Sequence, residues 1–189
     1  MKEITPKDPD GLSLEELLEA LDMGARPDQA AYLPENLWDE VLPGLWLGGT
    51  HDEHDLRLQA RYGSDLPPIT TEDFQTVVTM YAWAMPADWF VKELRYGIYD
   101  GDMTDFESSD LHELVATAHR DWKAGKKVLI RCQAGINRSG LIMALVLIRD
   151  GMNPEEAIEL MRTKRARSVL RNRVFEDWLK AVNVNDWRN

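Results

Sequence analysis

The stretch Lys127-Val-Leu-Ile-Arg131-Cys132-Gln-Ala-Gly-Ile-Asn-Arg138-Ser139-Gly140-Leu141-Ile-Met-Ala-Leu-Val-Leu-Ile148 decides how the chain is read. Its first five residues form a β-branched and apolar run of strand length, and its last eight form an apolar run with no polar face until Arg149. The first is a buried strand and the second a buried central helix. Between them, Gly135 and Gly140 relieve steric limits, so that successive backbone amides can converge on an anion at the helix N-terminus. No metal is needed to hold an anion there, and the loop calls for no cofactor. Arg138 lies six residues after Cys132, where a guanidinium can grip two oxygens of an oxyanion in a fork that lysine cannot make. Cys132 lies on the floor of the same positive field, which favours the thiolate over the thiol. Ser139 is placed either to hydrogen-bond that sulfur or to serve as a helix cap.

Working outward, the chain has 189 residues and 44% hydrophobic content, enough for one sizeable core. We expect one domain over residues 36–189 and an N-terminal extension over 1–35. In that extension Ser13 and Glu16 have capping-box spacing at the head of a short acidic helix, Ser13–Asp22. Val41-Leu-Pro-Gly-Leu-Trp-Leu-Gly-Gly49 reads as a strand pair or a strand and turn. Gln59 to Thr71, with Pro67-Pro68, reads as loop. Phe74–Met80 is a strand and Leu94–Tyr99 a weaker one, joined by an aromatic-rich connection. Ser109 is expected to cap a helix over Asp110–Lys123 that Gly125 ends. Two more helices follow, opened by Asn153-Pro154 and by Asn172. Strands interleaved with helices predict an α/β fold, a central mostly parallel sheet flanked by helices.

Composition narrows the function. The one cysteine excludes an internal disulfide and a four-cysteine metal site. No stretch reaches the roughly 18 to 20 apolar residues of a membrane span, and the N-terminus lacks a signal peptide's apolar run, so a soluble, cytoplasmic protein is expected. A net charge of -11 argues against a broad nucleic-acid surface. That charge is uneven. Residues 126–189 carry 13 Lys and Arg against 7 Asp and Glu, leaving the first 125 residues at -17. Lys164, Arg165, Arg167, Arg171 and Arg173 either draw an anionic substrate or are solvated helix faces.

Arg131-Cys132-Gln-Ala-Gly-Ile-Asn-Arg138-Ser139-Gly140 resembles the signature loop of the protein tyrosine phosphatase superfamily, in its dual-specificity branch. Val41–Gly49 is similar to that branch's opening strand, and Arg162–Arg165 through Asn172 and Phe175 to its closing helices. The resemblance implies a metal-independent phosphomonoester hydrolase, a protein tyrosine or dual-specificity phosphatase acting through a phosphocysteine on a phosphorylated protein or peptide. It assigns Cys132 as nucleophile, Arg138 as clamp and Ser139 as partner of the leaving thiolate. Gln133, Ala134, Gly135, Ile136 and Asn137 would bind the phosphoryl group. A general acid is expected some thirty residues upstream, in Tyr99-Asp100-Gly101-Asp102-Met103; counting from the strand favours Asp102 over Asp100, with Asp105 third.

Two departures stand out. Arg131 replaces the family's usual histidine, so hydrogen bonding to the sulfur must be arranged differently, and a non-catalytic phosphate-binding module is a competing reading. Asn137, where relatives often have serine, is similar to RNA 5'-triphosphatases of the same superfamily, although the neutral loop and the acidic chain argue against RNA. The missing resolving cysteines remove most arsenate-reductase schemes. His51-Asp-Glu-His54-Asp55 reads as a polar loop before a metal site, Tyr81–Phe90 as core packing before an aryl-binding wall, and His112 and His119 as ordinary helix residues.

Overall fold

A computed structural model describes residues 33–50, 55–63, 66–103 and 108–188. The chain divides into two compact units, Met1–Leu33 and Pro34–Asn189, and the fold below is that of the second. The expected helix Ser13–Asp22, the His51–His54 run and Asp105 lie outside the described residues.

The strand-and-turn reading of Val41–Gly49 resolves as a hairpin. Strands β1 (Trp38–Leu42) and β2 (Leu45–Gly48) pair antiparallel around Pro43-Gly44, where Gly44 takes a φ of 79°. Helix α1 (Leu56–Tyr62) follows, capped by Asp55 through the amides of Arg57 and Leu58. This corrects the expectation that Gln59 to Thr71 is wholly loop. The apolar run Phe74–Met80 contains β3 (Thr76–Thr79), and β4 occupies Lys92–Arg95, earlier than the expected Leu94–Tyr99. Helix α2 spans Ser108–Lys123, which puts Ser109 inside the helix and not at its cap. Strand β5 is Val128–Arg131 and α3 is Arg138–Arg149, with every residue from Arg138 to Ile148 buried. Helix α4 (Pro154–Lys164) starts at Asn153, whose amide donates to Glu156 Oε2 at 3.1 Å, and α5 (Arg173–Ala181) starts at Asn172.

The sheet runs β1-β2-β5-β3-β4, antiparallel in the hairpin and parallel in its other pairings. Side chains alternate across it. Val78, Val128 and Ile130 pack with Leu45, Leu47, α2, α3 and α4 in the main core. Val77 and Leu129 face the other way, onto a cluster of Ile69, Phe74 and Val91 with Trp38, Trp46 and Ala87 around it. Helices α2 to α5 pack on the first face, and connecting segments around Ile69, Phe74, Ala87 and Val91 cover the second. Because β5, β3 and β4 are parallel, their C-terminal ends share one edge of the sheet, and the Cys132 loop leaves from its middle.

The opposite edge is tied by Asp121 of α2. Its carboxylate accepts from Thr76 Oγ1 and Lys92 Nζ, both at 2.8 Å, and lies 3.2 Å from Lys126 Nζ. Burial alone pushes this carboxyl up, but Lys92, Thr76 and Lys126 outweigh it and hold the group down at about 2, against an ordinary 3.8. A depressed folded value means the contribution is present in full above 3.8 and is lost as pH falls towards 2. Urea unfolding followed across that window should show stability falling with pH. Asp121→Asn should lower stability at neutral pH and flatten the fall.

Candidate active site

The loop from Cys132 to Asn137 hangs between β5 and α3. The Cys132 amide donates to the Gly48 carbonyl at 3.2 Å and the Thr50 amide to the Gln133 carbonyl at 3.0 Å, so the loop's first residues continue the β2–β5 pairing. Gly135 has a φ of 71°. A Cβ there would collide with the Arg165 guanidinium and the Gly48 backbone, so both conformation and space require glycine. The Cys132 thiol is buried and accepts two hydrogen bonds, from the Gly135 amide at 3.3 Å and from Ser139 Oγ at 3.2 Å. Of the two sequence readings of Ser139, the sulfur partner is the one its geometry matches.

Two carbonyls of the same loop, those of Ala134 and Gly135, are gathered by Arg165, at the C-terminal end of α4. Its Nε donates to Gly135 O at 2.6 Å and its Nη2 to Ala134 O at 3.2 Å. Nη1 pairs with Asp39 Oδ2 at 2.7 Å, and Nη2 also reaches Leu37 O at 3.3 Å. Burial pushes this guanidinium below its ordinary value; the Asp39 carboxylate opposes that, and so does negative charge on Cys132. Sequence reasoning counted Arg165 among residues that were solvated or substrate-attracting. It is not solvated: its side chain is buried beneath the loop and paired with Asp39. Its place just past α4 and the glycine opposite are the only hints the sequence offers.

Arg138 opens α3 and projects into the site. Nη1 donates to Ile98 O and Nη2 to Gln133 Oε1, both at 3.4 Å, and the Tyr81 ring lies 5.0 Å from the guanidinium carbon. Its buried Nε has no hydrogen-bond partner, the nearest carboxylate oxygen being Asp100 Oδ2 at 3.9 Å. Asp100 itself is committed. Oδ2 accepts from Asn137 Nδ2 and Oδ1 from Asn172 Nδ2, each at 3.1 Å, and Asn172 Nδ2 also reaches Gly101 O. Asp102 is exposed on the same segment two residues later. The structure therefore brings Cys132, Arg138, Ser139 and the 133–137 loop together, and attaches the upstream acidic segment to them through Asp100.

Arg131 is 3% exposed, and its contacts lead away from the sulfur. Nε donates to Thr79 Oγ1 at 2.9 Å, Nη1 to Thr50 Oγ1 at 3.3 Å, and Nη2 to Met85 O at 2.6 Å and Glu93 Oε1 at 2.8 Å. Burial pushes the Glu93 carboxyl up, but hydrogen bonds from Thr79, Arg131 and the Ala87 amide hold it below the usual range. Hydrogen bonding to Cys132 comes instead from Gly135 and Ser139.

Residues 72–185 match the family model described as dual specificity phosphatase, catalytic domain. The chain belongs to this family. Protein 123R of Invertebrate iridescent virus 6, described as a tyrosine phosphatase, is 30% identical over 93 residues, which cover 43% of this chain and 66% of the viral protein. A Dictyostelium discoideum protein described as a protein tyrosine phosphatase of type IVA is 42% identical over 40 residues, 21% of this chain and 24% of that one. The chain thus spans less than two thirds of either relative. In fold it is similar to the crystal structure of human DUSP28, with a TM-score of 0.59 and 20% identity over 77% of this chain and 92% of that one.

Arg165→Met should leave two loop carbonyls and Asp39 without their buried cation. We expect a stability loss of about 3–5 kcal/mol in urea unfolding, together with weaker protection of Cys132 from iodoacetate by vanadate or phosphate.

Proposed function

We propose that this chain is a cysteine-dependent protein phosphatase that hydrolyses phosphomonoesters on proteins or peptides through a phosphocysteine. The observation that carries the proposal is the buried, unpartnered Nε of Arg138 beside a sulfur that already accepts two hydrogen bonds, one from the loop and one from α3. A phosphoryl oxygen would satisfy that nitrogen. The 3.4 Å contacts of Arg138 to Ile98 and Gln133 are long enough to exchange for an anion at little cost.

In this reading the Cys132 thiolate attacks phosphorus, forming the S–P bond as the ester P–O bond breaks. Arg138 and the amides of residues 133–137 take the charge on the three equatorial oxygens. Asp102 gives its proton to the departing oxygen and then, as carboxylate, takes one from water. That water oxygen attacks phosphorus, the S–P bond breaks, and Ser139 Oγ donates to the returning thiolate. We assign Asp102 to the proton transfer because it lies exposed a few residues past the last apolar position of the upstream strand, where the family places its acid, and Asp100 fits less well because both its oxygens bind asparagine amides that anchor the segment. Chemistry that depends on a free thiol suits a reducing compartment, which supports a cytoplasmic setting. Among the described residues no helix is long and apolar enough to cross a membrane.

Turnover of p-nitrophenyl phosphate and of a phosphotyrosyl peptide tests the mechanism. Cys132→Ser should fall to background with both; wild-type turnover in that variant overturns the proposal. Asp102→Asn should lower kcat on the peptide by about 10²-fold or more and affect p-nitrophenyl phosphate less, since nitrophenolate departs unprotonated. Asp100→Asn should act on both substrates alike.

A further inference from the structure

The residue before the nucleophile sits where family members usually carry histidine, and its network has a destination. Arg131, Thr79 and Arg95 are register partners across β5, β3 and β4, so their side chains share one face, and Glu93 lies two residues before Arg95 on that face. Glu93 Oε1 bridges the two guanidiniums, accepting from Arg131 Nη2 at 2.8 Å and Arg95 Nη1 at 2.9 Å, while Oε2 accepts from the Ala87 amide at 3.1 Å. The Nη2 atom of each arginine also closes on one short segment. Arg95 Nη2 takes Ala82 O at 3.1 Å and Ala84 O at 2.8 Å, and Arg131 Nη2 takes Met85 O at 2.6 Å.

That segment leads to the site. Tyr81, immediately before it, lies 5.0 Å from the Arg138 guanidinium, and Trp83, inside it, packs edge-on against Tyr81 with centroids 5.8 Å apart at 87°. Trp83 is nevertheless 79% exposed. An indole left that open gains little from the core. Three grasped carbonyls around it fix the backbone that carries it.

We propose that Arg131 is a positioning residue for substrate binding: with Glu93 and Arg95 it clasps residues 82–85, so that Tyr81 braces Arg138 and Trp83 stands as a fixed wall for the ring of an aryl phosphate. Arg131 therefore acts on how substrate is held and not on the sulfur. The role is specific to the guanidinium, since one ammonium cannot serve Thr79, Thr50, Met85 and Glu93 together.

The inference rests on the phosphatase reading of this site, and the test separates the two. Steady-state kinetics on a phosphotyrosyl peptide should show Arg131→Met, Arg131→Lys and Glu93→Gln raising KM about fivefold or more, with kcat within about twofold and the acid limb of the pH–rate profile in place. Trp83→Ala should raise KM similarly, and Arg131→Met/Trp83→Ala should be no worse than the worse single variant. A shifted acid limb with KM unchanged overturns the inference, and so do single effects that multiply in the double variant. If Arg131→Met does not fold, Arg95→Met removes the grasp on Ala82 and Ala84 while keeping the buried Arg131–Glu93 pair, and the same KM effect and the same coupling to Trp83 are expected. Calorimetry of the peptide on Cys132→Ser, with and without the clasp substitution, gives a readout independent of turnover. Wild type without turnover overturns the phosphatase reading alone, and the clasp then stands if its loss weakens binding about fivefold and falls if binding is unchanged.

Discussion

Everything at this site depends on turning one short loop inside out. Amide hydrogens can converge on a single anion only if the carbonyls of the same peptides point the other way, into protein, where each needs a donor. Arg165 is that donor for Ala134 and Gly135. A buried guanidinium must itself be neutralised, and Asp39 and the Leu37 carbonyl do so from the entrance of the first strand. The end of α4, the start of β1 and the Cys132–Asn137 loop are thereby one electrostatic unit. Gly135 is the steric counterpart of this unit, because any side chain there would occupy the space of the guanidinium.

Neighbouring residues at the end of β5 serve opposite faces of the sheet. Cys132 joins the helix-covered core, where the continuous apolar surface of α3 holds its position. Arg131 joins the face covered by connecting segments, where the apolar cluster of Phe74, Val77 and Leu129 is small and the order of the edge is kept by charged hydrogen bonds. Cys132 is thus held by packing and residues 82–85 by a polar network. Directional bonds to named carbonyls fix a loop's path, as non-directional apolar contact does not.

How much of this could be read from the sequence follows from the range of each interaction. Cys132, Arg138, Ser139 and the buried helix behind them form a local pattern, and local patterns are legible. Arg165 meets Asp39 across 126 residues, and Arg131 meets Glu93 across 38. Neither spacing has a signature. Strand β4 lies earlier than expected because its residues, Lys92-Glu-Leu-Arg95, are charged; pairing with β3 decides its register, and the apolar Ile98 beyond it turns out to line the site through its carbonyl. Helix α1 was hidden by the polar run before it, whose last member Asp55 is its cap. Ser109 has a capping residue's chemistry but falls inside α2, since the helix already starts at Ser108.

Asn137 shows why a departure from the family pattern need not mark a different substrate. Its side-chain amide donates from Nδ2 to Asp100 and accepts at Oδ1 from the Asn172 backbone at 3.0 Å, while Asn172 returns to Asp100 from the other side. Two asparagines and one aspartate close a ring joining the Cys132–Asn137 loop, the segment bearing Asp102 and the head of α5. A serine at position 137 has one short hydroxyl and cannot span both neighbours at once. The residue that suggests an RNA end in the sequence is thus explained by what it holds together. In this chain the Asp100 segment is fastened to the loop by neutral amides, and the Arg138 guanidinium stays 3.9 Å from the Asp100 carboxylate.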